Sequence, residues 1–199
     1  MGGPCKTKKE PNKHGVQLKI AAPACTDNFQ LATFVYDDDE YHSVEQAYQA
    51  CKFTKGKSAR TAILALKPSP GESASAFGMR CWNAGQTGQT RSDWCSVKVQ
   101  VMYDANVAKY EAHEQLRHDL LSTLEKTLYG GPSTSWSDAN GDSHKWQVWN
   151  ALVQMRIREE LRPEDERDVA LLSKLVKVFE DYKKLNGTKK KTKIKNKKK

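Results

Sequence analysis

The hydrophobic positions change period as the chain proceeds. VQLKI at 16–20 alternates apolar with polar residues and predicts a short strand. TFVY at 33–36 predicts a second strand that runs into the acidic turn Asp37-Asp38-Asp39-Glu40, with Tyr41 beginning the return of a hairpin. From Ser43 the period becomes helical, since Val44, Ala47, Tyr48 and Cys51 fall at i, i+3, i+4 and i+7. Ser43-Val44-Glu45-Gln46 reads as a capping box: Ser43 accepts from the Gln46 N–H, and Gln46 reaches back. Gly56 is the expected stop. Short helices are predicted over 58–66, ended by Pro68 and Pro70, and over 71–80, with a loop at 83–90.

A long helix is predicted from Ser92, with Trp94, Val97, Val101, Ala105 and Ala108 on one stripe. Another is expected over 114–128, carrying Leu116, Leu120, Thr123, Leu124 and Leu128. Residues 130–145, GGPSTSWSDANGDSHK, show no regular period, which inside a compact domain marks a functional or flexible loop. Helices are then predicted over 146–161 and, beyond the break at Pro163, over 164–185. The pattern describes a mainly α single domain over 16–185 with a small N-terminal β element.

Charge changes this picture at the two ends. The 199 residues carry a net charge of +9, but residues 1–13 hold +3 and residues 183–199 hold ten lysines and no acid. Taking +3 and +10 from the total of +9 leaves −4 on residues 14–182, so the expected domain is mildly acidic. Residues 1–15 are expected to be a basic disordered tail, and 186–199 a second, Lys-rich one. Such a tail can hold nucleic acid through phosphate contacts, act as a nuclear address, or simply solubilise the protein.

Mean hydropathy is −0.77, and no apolar run approaches membrane-spanning length. Met1–Gly15 lacks an apolar stretch behind its lysines, so neither a secretory signal nor membrane association is expected. Cys5, Cys25, Cys51, Cys81 and Cys95 are odd in number and form no CxxC, which suits free thiols in a reducing compartment, cytoplasmic or nuclear. No metal site is expected.

Candidate chemistry concentrates on the helix that starts at Ser43. Glu45 and Lys52 are seven residues apart and so share one face, with Tyr48 and Gln49 between them. A carboxylate and an amine at the edge of a buried stripe can do acid, base or nucleophilic work. The plain alternative is the solvated flank of an ordinary helix. Trp136 with Asp138, Asn140 and Asp142 is a second candidate, able to stack a ring and hold hydroxyls. Its alternative is a surface loop whose Trp caps the core.

Asn28-Phe29, followed by Tyr41-His42-Ser43-Val44-Glu45-Gln46-Ala47-Tyr48-Gln49-Ala50-Cys51-Lys52-Phe53, resembles the signature of the NADAR domain family, also called YbiA-like. Further pieces follow in the family's order: Phe77-Gly78 with Arg80; Trp94-Cys95-Ser96-Val97-Lys98 with Val101-Met102; Lys109-Tyr110; Leu116-Arg117 with Leu120-Leu121 and Thr123; and Trp149-Asn150-Ala151-Leu152 with Met155-Arg156. The resemblance covers about 26–161, leaving 164–185 as an extra C-terminal helix.

The resemblance implies a mainly α-helical N-glycosidase that cleaves a ribose C1–N bond without a cofactor. The implied substrates are ADP-ribose on guanine bases of nucleic acid or ribosyl-phosphate compounds. The family's key Glu and Lys fall on Glu45 and Lys52, and its Trp on Trp94. Asn28, Phe29, Ser43, Tyr48, Gln49, Arg80, Trp136 and Asp138 are the implied substrate contacts. A carboxylate can stabilise positive charge on the sugar or activate water. A desolvated lysine can instead attack C1 and pass through a Schiff base. The last family motif is altered here: Gly130 stands where a glutamate is expected, no aspartate precedes Trp136, and Asp138 follows it. The alternative reading is therefore a catalytically degenerate module of the same fold that binds ADP-ribose or nucleic acid.

Overall fold

The computed structural model describes residues 3–8 and 19–187 of the chain. At its centre lies α1, Val44–Cys51, all eight of whose residues are buried. Ser43 caps it, its Oγ accepting from the Gln46 N–H at 3.1 Å. Gln46 Oε1 reaches back to the His42 N–H at 2.7 Å, one residue beyond the expected partner. A cap of this kind contributes about 1 kcal/mol. The helix ends at Cys51, before Gly56, whose φ of +82° belongs to the following turn.

The hairpin ahead of α1 joins β3, Phe34–Tyr36, to β4, Asp39–Tyr41. Asp37 and Asp38 both have positive φ, 52° and 66°, as a two-residue turn matching the twist of its strands requires. The acidic turn is held from α2, Ser58–Leu64: the buried Arg60 guanidinium donates to Asp37, Asp39 and the Tyr41 hydroxyl at 3.1, 2.7 and 3.1 Å.

Around α1 pack α2, α3 (Ala74–Ala84) and α4 (Trp94–Ala112). The third helix extends four residues past its expected end into the predicted 83–90 loop. Its Phe77-Gly78 step has a packing reason, because a Cβ at Gly78 would stand 2.5 Å from the Phe29 ring.

Three expectations are corrected. Residues 1–15 are not a tail throughout, since Lys6–Lys8 form β1, paired antiparallel with β2 (Lys19–Ala21) and β5 (Leu128–Tyr129). Cys5 and Thr7 are buried while Lys6 is exposed, so an ordinary strand alternation sits beneath the lysine-rich composition. Residues 9–18, including most of the expected 16–20 strand, lie outside the described residues.

Second, α5 runs only over Glu114–Leu121. Leu124 takes a φ of +50°, and Leu128 pairs with Thr7 in the sheet instead of continuing the helix. Third, 130–145 contains a hairpin, β6 (Ser135–Ser137) with β7 (Ser143–Lys145). Asp138 folds its tip by accepting from the Asn140 and Asp142 N–H groups at 2.8 and 3.0 Å.

The sixth helix, α6, spans Trp146–Leu161 as predicted, and a 3-10 turn at Glu164–Glu166 leads to α7, Val169–Gly187, which packs on α4 and α6. The last helix therefore starts later than 164 and includes Asn186 and Gly187, the first two residues of the expected tail. Residues 188–199 lie outside the described residues. No described helix is long and apolar enough to cross a membrane.

Candidate active site

Between α1, the start of α4 and the 134–136 hairpin strand lies a cavity of about 310 Å³, bordered by Tyr48, Lys52, Trp82, Gln86, Trp94, Lys98, Thr134, Ser135, Trp136 and Trp146. Its walls are aromatic. Tyr48 meets Trp94 and Trp146 edge-on at 4.9 and 5.1 Å, and Trp136 lies 4.5 Å from Trp146. Such contacts each contribute about 0.5–1.5 kcal/mol beyond burial and keep the walls rigid.

Two amines enter this cavity. Lys52 stands 5.9 Å from the Tyr48 ring centroid and donates to the Gly85 carbonyl at 3.1 Å. Burial lowers its pKa, the Glu45 carboxylate raises it, and the Lys98 charge lowers it further. Lys98 sits 5.1 Å from the Trp136 ring centroid and is also shifted down by burial, against an upward pull from Cys95. An amine pushed toward neutrality can act as a nucleophile.

Glu45 is wholly buried beside this cavity and is not one of its walls. Its carboxylate accepts from Gln49 Nε2 at 2.6 Å. Burial raises its pKa, with Gln49 and Lys52 acting in the opposite direction. Of the two residues that share this helix face, Lys52 lines the cavity, while Glu45 couples to it electrostatically from within α1. Among the described residues, the walls carry two amines and no carboxylate.

The other predicted contacts separate. Tyr48, Trp94 and Trp136 join Lys52 at the cavity. Gln49 is buried, holds Glu45, and packs so closely on Gly85 that a Cβ there would collide with its amide. Phe29 borders an adjacent cavity of about 410 Å³, which shares Trp82 and Thr134 with the first. Ser43 is engaged as the helix cap. Arg80 is outside both cavities, paired with Glu72 at 2.6 Å. Asp138 turns behind Trp136, where its Oδ2 meets His144 Nε2 at 2.8 Å. Trp149 Nε1 donates to His144 Nδ1 at 3.3 Å, which assigns the proton of a neutral His144 to Nε2, facing Asp138.

Asn28 belongs to a buried polar network. It donates to Asn150 Oδ1 at 3.3 Å and accepts from Asn106 Nδ2 at 3.1 Å. Lys109 Nζ donates to the Cys25 carbonyl at 2.6 Å and to Asn106 Oδ1 at 3.1 Å. Gln154 Nε2 joins Asn106 and Asn150 at 3.0 and 3.2 Å. This knot ties α4 and α6 to the segment around the 3-10 turn Ala24–Thr26.

The profile of the NADAR domain matches residues 7–162. The chain belongs to the NADAR family. An N-glycosidase of Nostoc punctiforme is 32% identical to it over 138 residues, covering 69% of this chain and 85% of that protein. The NMR structure of Escherichia coli YbiA superposes with a TM-score of 0.52 at 29% identity, covering 69% of this chain and 77% of YbiA. The family match begins earlier than the expected 26, which agrees with β1 being part of the fold, and it ends before α7.

Sequence reasoning missed Lys98, Trp82, Gln86 and Trp146 as cavity residues. Lys98 had a usable signal, since it stands four residues after Trp94 on one helix and must share its face. At Gly130 a Cβ would collide with the Gln147 carbonyl, so the backbone there is packed too closely for any other side chain.

Proposed function

We propose that this NADAR protein is an N-glycosidase that breaks a ribose C1–N bond, with ADP-ribose on a guanine base of nucleic acid, or a related ribosyl phosphate, as substrate. The observation that carries the reading is the cavity that gathers Lys52, Tyr48, Trp94 and Trp136 from separated parts of the chain. The name of the Nostoc relative supports the reaction class.

In this reading the Lys52 amine forms a bond to C1 as the C1–N bond breaks, and the electron pair leaves with the base nitrogen, which takes up a proton. Sugar ring opening gives a Schiff base at Nζ, and water adds to C1 to release the sugar and restore the amine. Glu45, whose pKa burial raises above the ordinary carboxylate value, serves as acid and base for Lys52. The aromatic walls flank the sugar and base, and Lys98 offers a second cation to phosphate.

The test is incubation with an ADP-ribosylated guanine oligonucleotide and detection of free ADP-ribose by mass. Borohydride added during turnover should leave a ribosyl adduct on Lys52, because reduction fixes a Schiff base as a secondary amine. Binding of ADP-ribose with no release from any guanine- or pyrimidine-linked substrate would favour the degenerate binding module, a reading supported by the absence of a carboxylate among the described cavity walls.

Residues 188–199 contain eight lysines, proposed to add sequence-independent affinity for the nucleic acid. Truncation after Gly187 should flatten the salt dependence of oligonucleotide binding without changing its base preference. An unchanged salt slope would remove the tail from the reading.

A further inference from the structure

The segment that ends the described structure lies beyond the family match yet bonds to a wall of the cavity. Trp136, a cavity wall, donates its indole N–H to the Tyr182 hydroxyl of α7 at 3.0 Å. That hydroxyl donates in turn to the Cys95 carbonyl at 2.9 Å, one residue after the wall residue Trp94. One phenol oxygen thereby links the two sides of the cavity mouth, the hairpin and the first turn of α4.

The Tyr182 ring reinforces the link. It meets Trp149 at 5.0 Å, His144 at 5.5 Å and Trp136 at 6.4 Å, all near edge-on. Tyr182 is buried, and one turn later Asn186 Oδ1 accepts the Ala139 N–H at the hairpin tip at 3.0 Å. The β6–β7 hairpin has only three residues per strand, and an isolated hairpin of that size is not stable in water. Its placement over Lys52 and Lys98 therefore depends on what grips it from outside.

We propose that α7 is a working part of the active site, with Tyr182 as the positioning residue that holds Trp136 as a cavity wall. The part of this inference that concerns ligand affinity rests on the function proposed above. The placement of Trp136 does not. Tyr182 touches no reacting atom in this scheme; it acts through the indole.

The test uses the full-length protein labelled with 5-fluorotryptophan, whose five ¹⁹F resonances correspond to Trp82, Trp94, Trp136, Trp146 and Trp149. Trp136→Phe assigns the resonance of interest. Tyr182→Phe keeps the ring and removes only the hydroxyl. It should shift or broaden the Trp136 resonance, leave that of Trp82 in place, and weaken ADP-ribose binding about five- to tenfold, the scale of one hydrogen bond. With turnover substrate, KM should rise while kcat changes little. Tyr182→Ala should enlarge each effect.

An unmoved Trp136 resonance in Tyr182→Phe overturns the proposal. A moved resonance with unchanged ADP-ribose affinity also overturns it, because the bracing would then not serve the site. Should wild-type protein fail to bind ADP-ribose, the proposed function falls, and the Trp136 resonance alone decides whether Tyr182 positions the wall.

Discussion

Two desolvated amines, one at the end of α1 and one on α4, differ in what surrounds the nitrogen. Lys109, on α4, is fully enclosed and its donors are spent on the Cys25 carbonyl and Asn106, with the Tyr110 ring centroid at 4.5 Å. Lys52, at the end of α1, borders the aromatic cavity and donates to the Gly85 carbonyl. Desolvation lowers both pKa values, that of Lys109 to about 8. A depressed pKa therefore does not distinguish a chemical amine from a structural one. Access does: the amine that can meet a ligand borders empty space, and the other has been used to close the core.

The largest expected effect falls on the cavity side. Lys52→Met should remove borohydride trapping and slow ADP-ribose release by about 10³-fold or more, the scale of losing a nucleophile, with little change in melting temperature. Equal activity in Lys52→Met and wild type would erase the proposed contrast. Glu45→Gln comes next. It should slow release by about 100-fold, as expected for a lost acid–base group, while free ADP-ribose still binds by calorimetry.

Lys109→Met should show the opposite profile, with trapping at Lys52 retained and stability reduced by about 2 kcal/mol, because two buried acceptors lose their donor. Its pH dependence sharpens the comparison. In the unfolded chain Lys109 keeps its proton up to the ordinary value of 10.5, whereas in the folded protein it releases it near 8. Between those values the unfolded state binds more protons, so rising pH favours folding. Denaturation from pH 8 to 10 should therefore show the stability gap between wild type and Lys109→Met widening. A gap that narrows would mean that the Lys109 nitrogen is not desolvated. The smallest effect belongs to Arg80→Ala, which breaks a half-buried pair with Glu72 away from both cavities. Release and melting temperature should both stay at wild-type values, and a raised KM would return Arg80 to the site.

Much of this contrast was readable in the chain because it depends on local spacing. The Ser43 cap, the stripe through Tyr48 and the shared face of Glu45 and Lys52 follow from helical geometry. So does α6, whose bounds match the prediction residue for residue. The hairpin at Asp37-Asp38 was legible for the same reason, since turn residues report their own backbone.

What failed was non-local. Lysine composition concealed β1, whose partners lie 11 to 15 residues away at Lys19–Ala21 and about 120 away at Leu128–Tyr129. The leucine stripe of α5 continued in sequence after the structure had diverted Leu128 into that sheet. Asn28 had the look of a substrate contact, but its partners Asn106 and Asn150 make it part of a core knot.

The sequence by itself determined the helical framework, the family and the placement of Lys52 beside Tyr48, because periodicity and short motifs constrain residues within a few turns of one another. Only the tertiary structure decided which amine faces open space, that Glu45 stands behind the wall, and that Tyr182 fastens Trp136. Those outcomes depend on which side chains arrive from elsewhere to desolvate, pair or brace a group, and such arrivals leave no mark on the residues next to it in the chain.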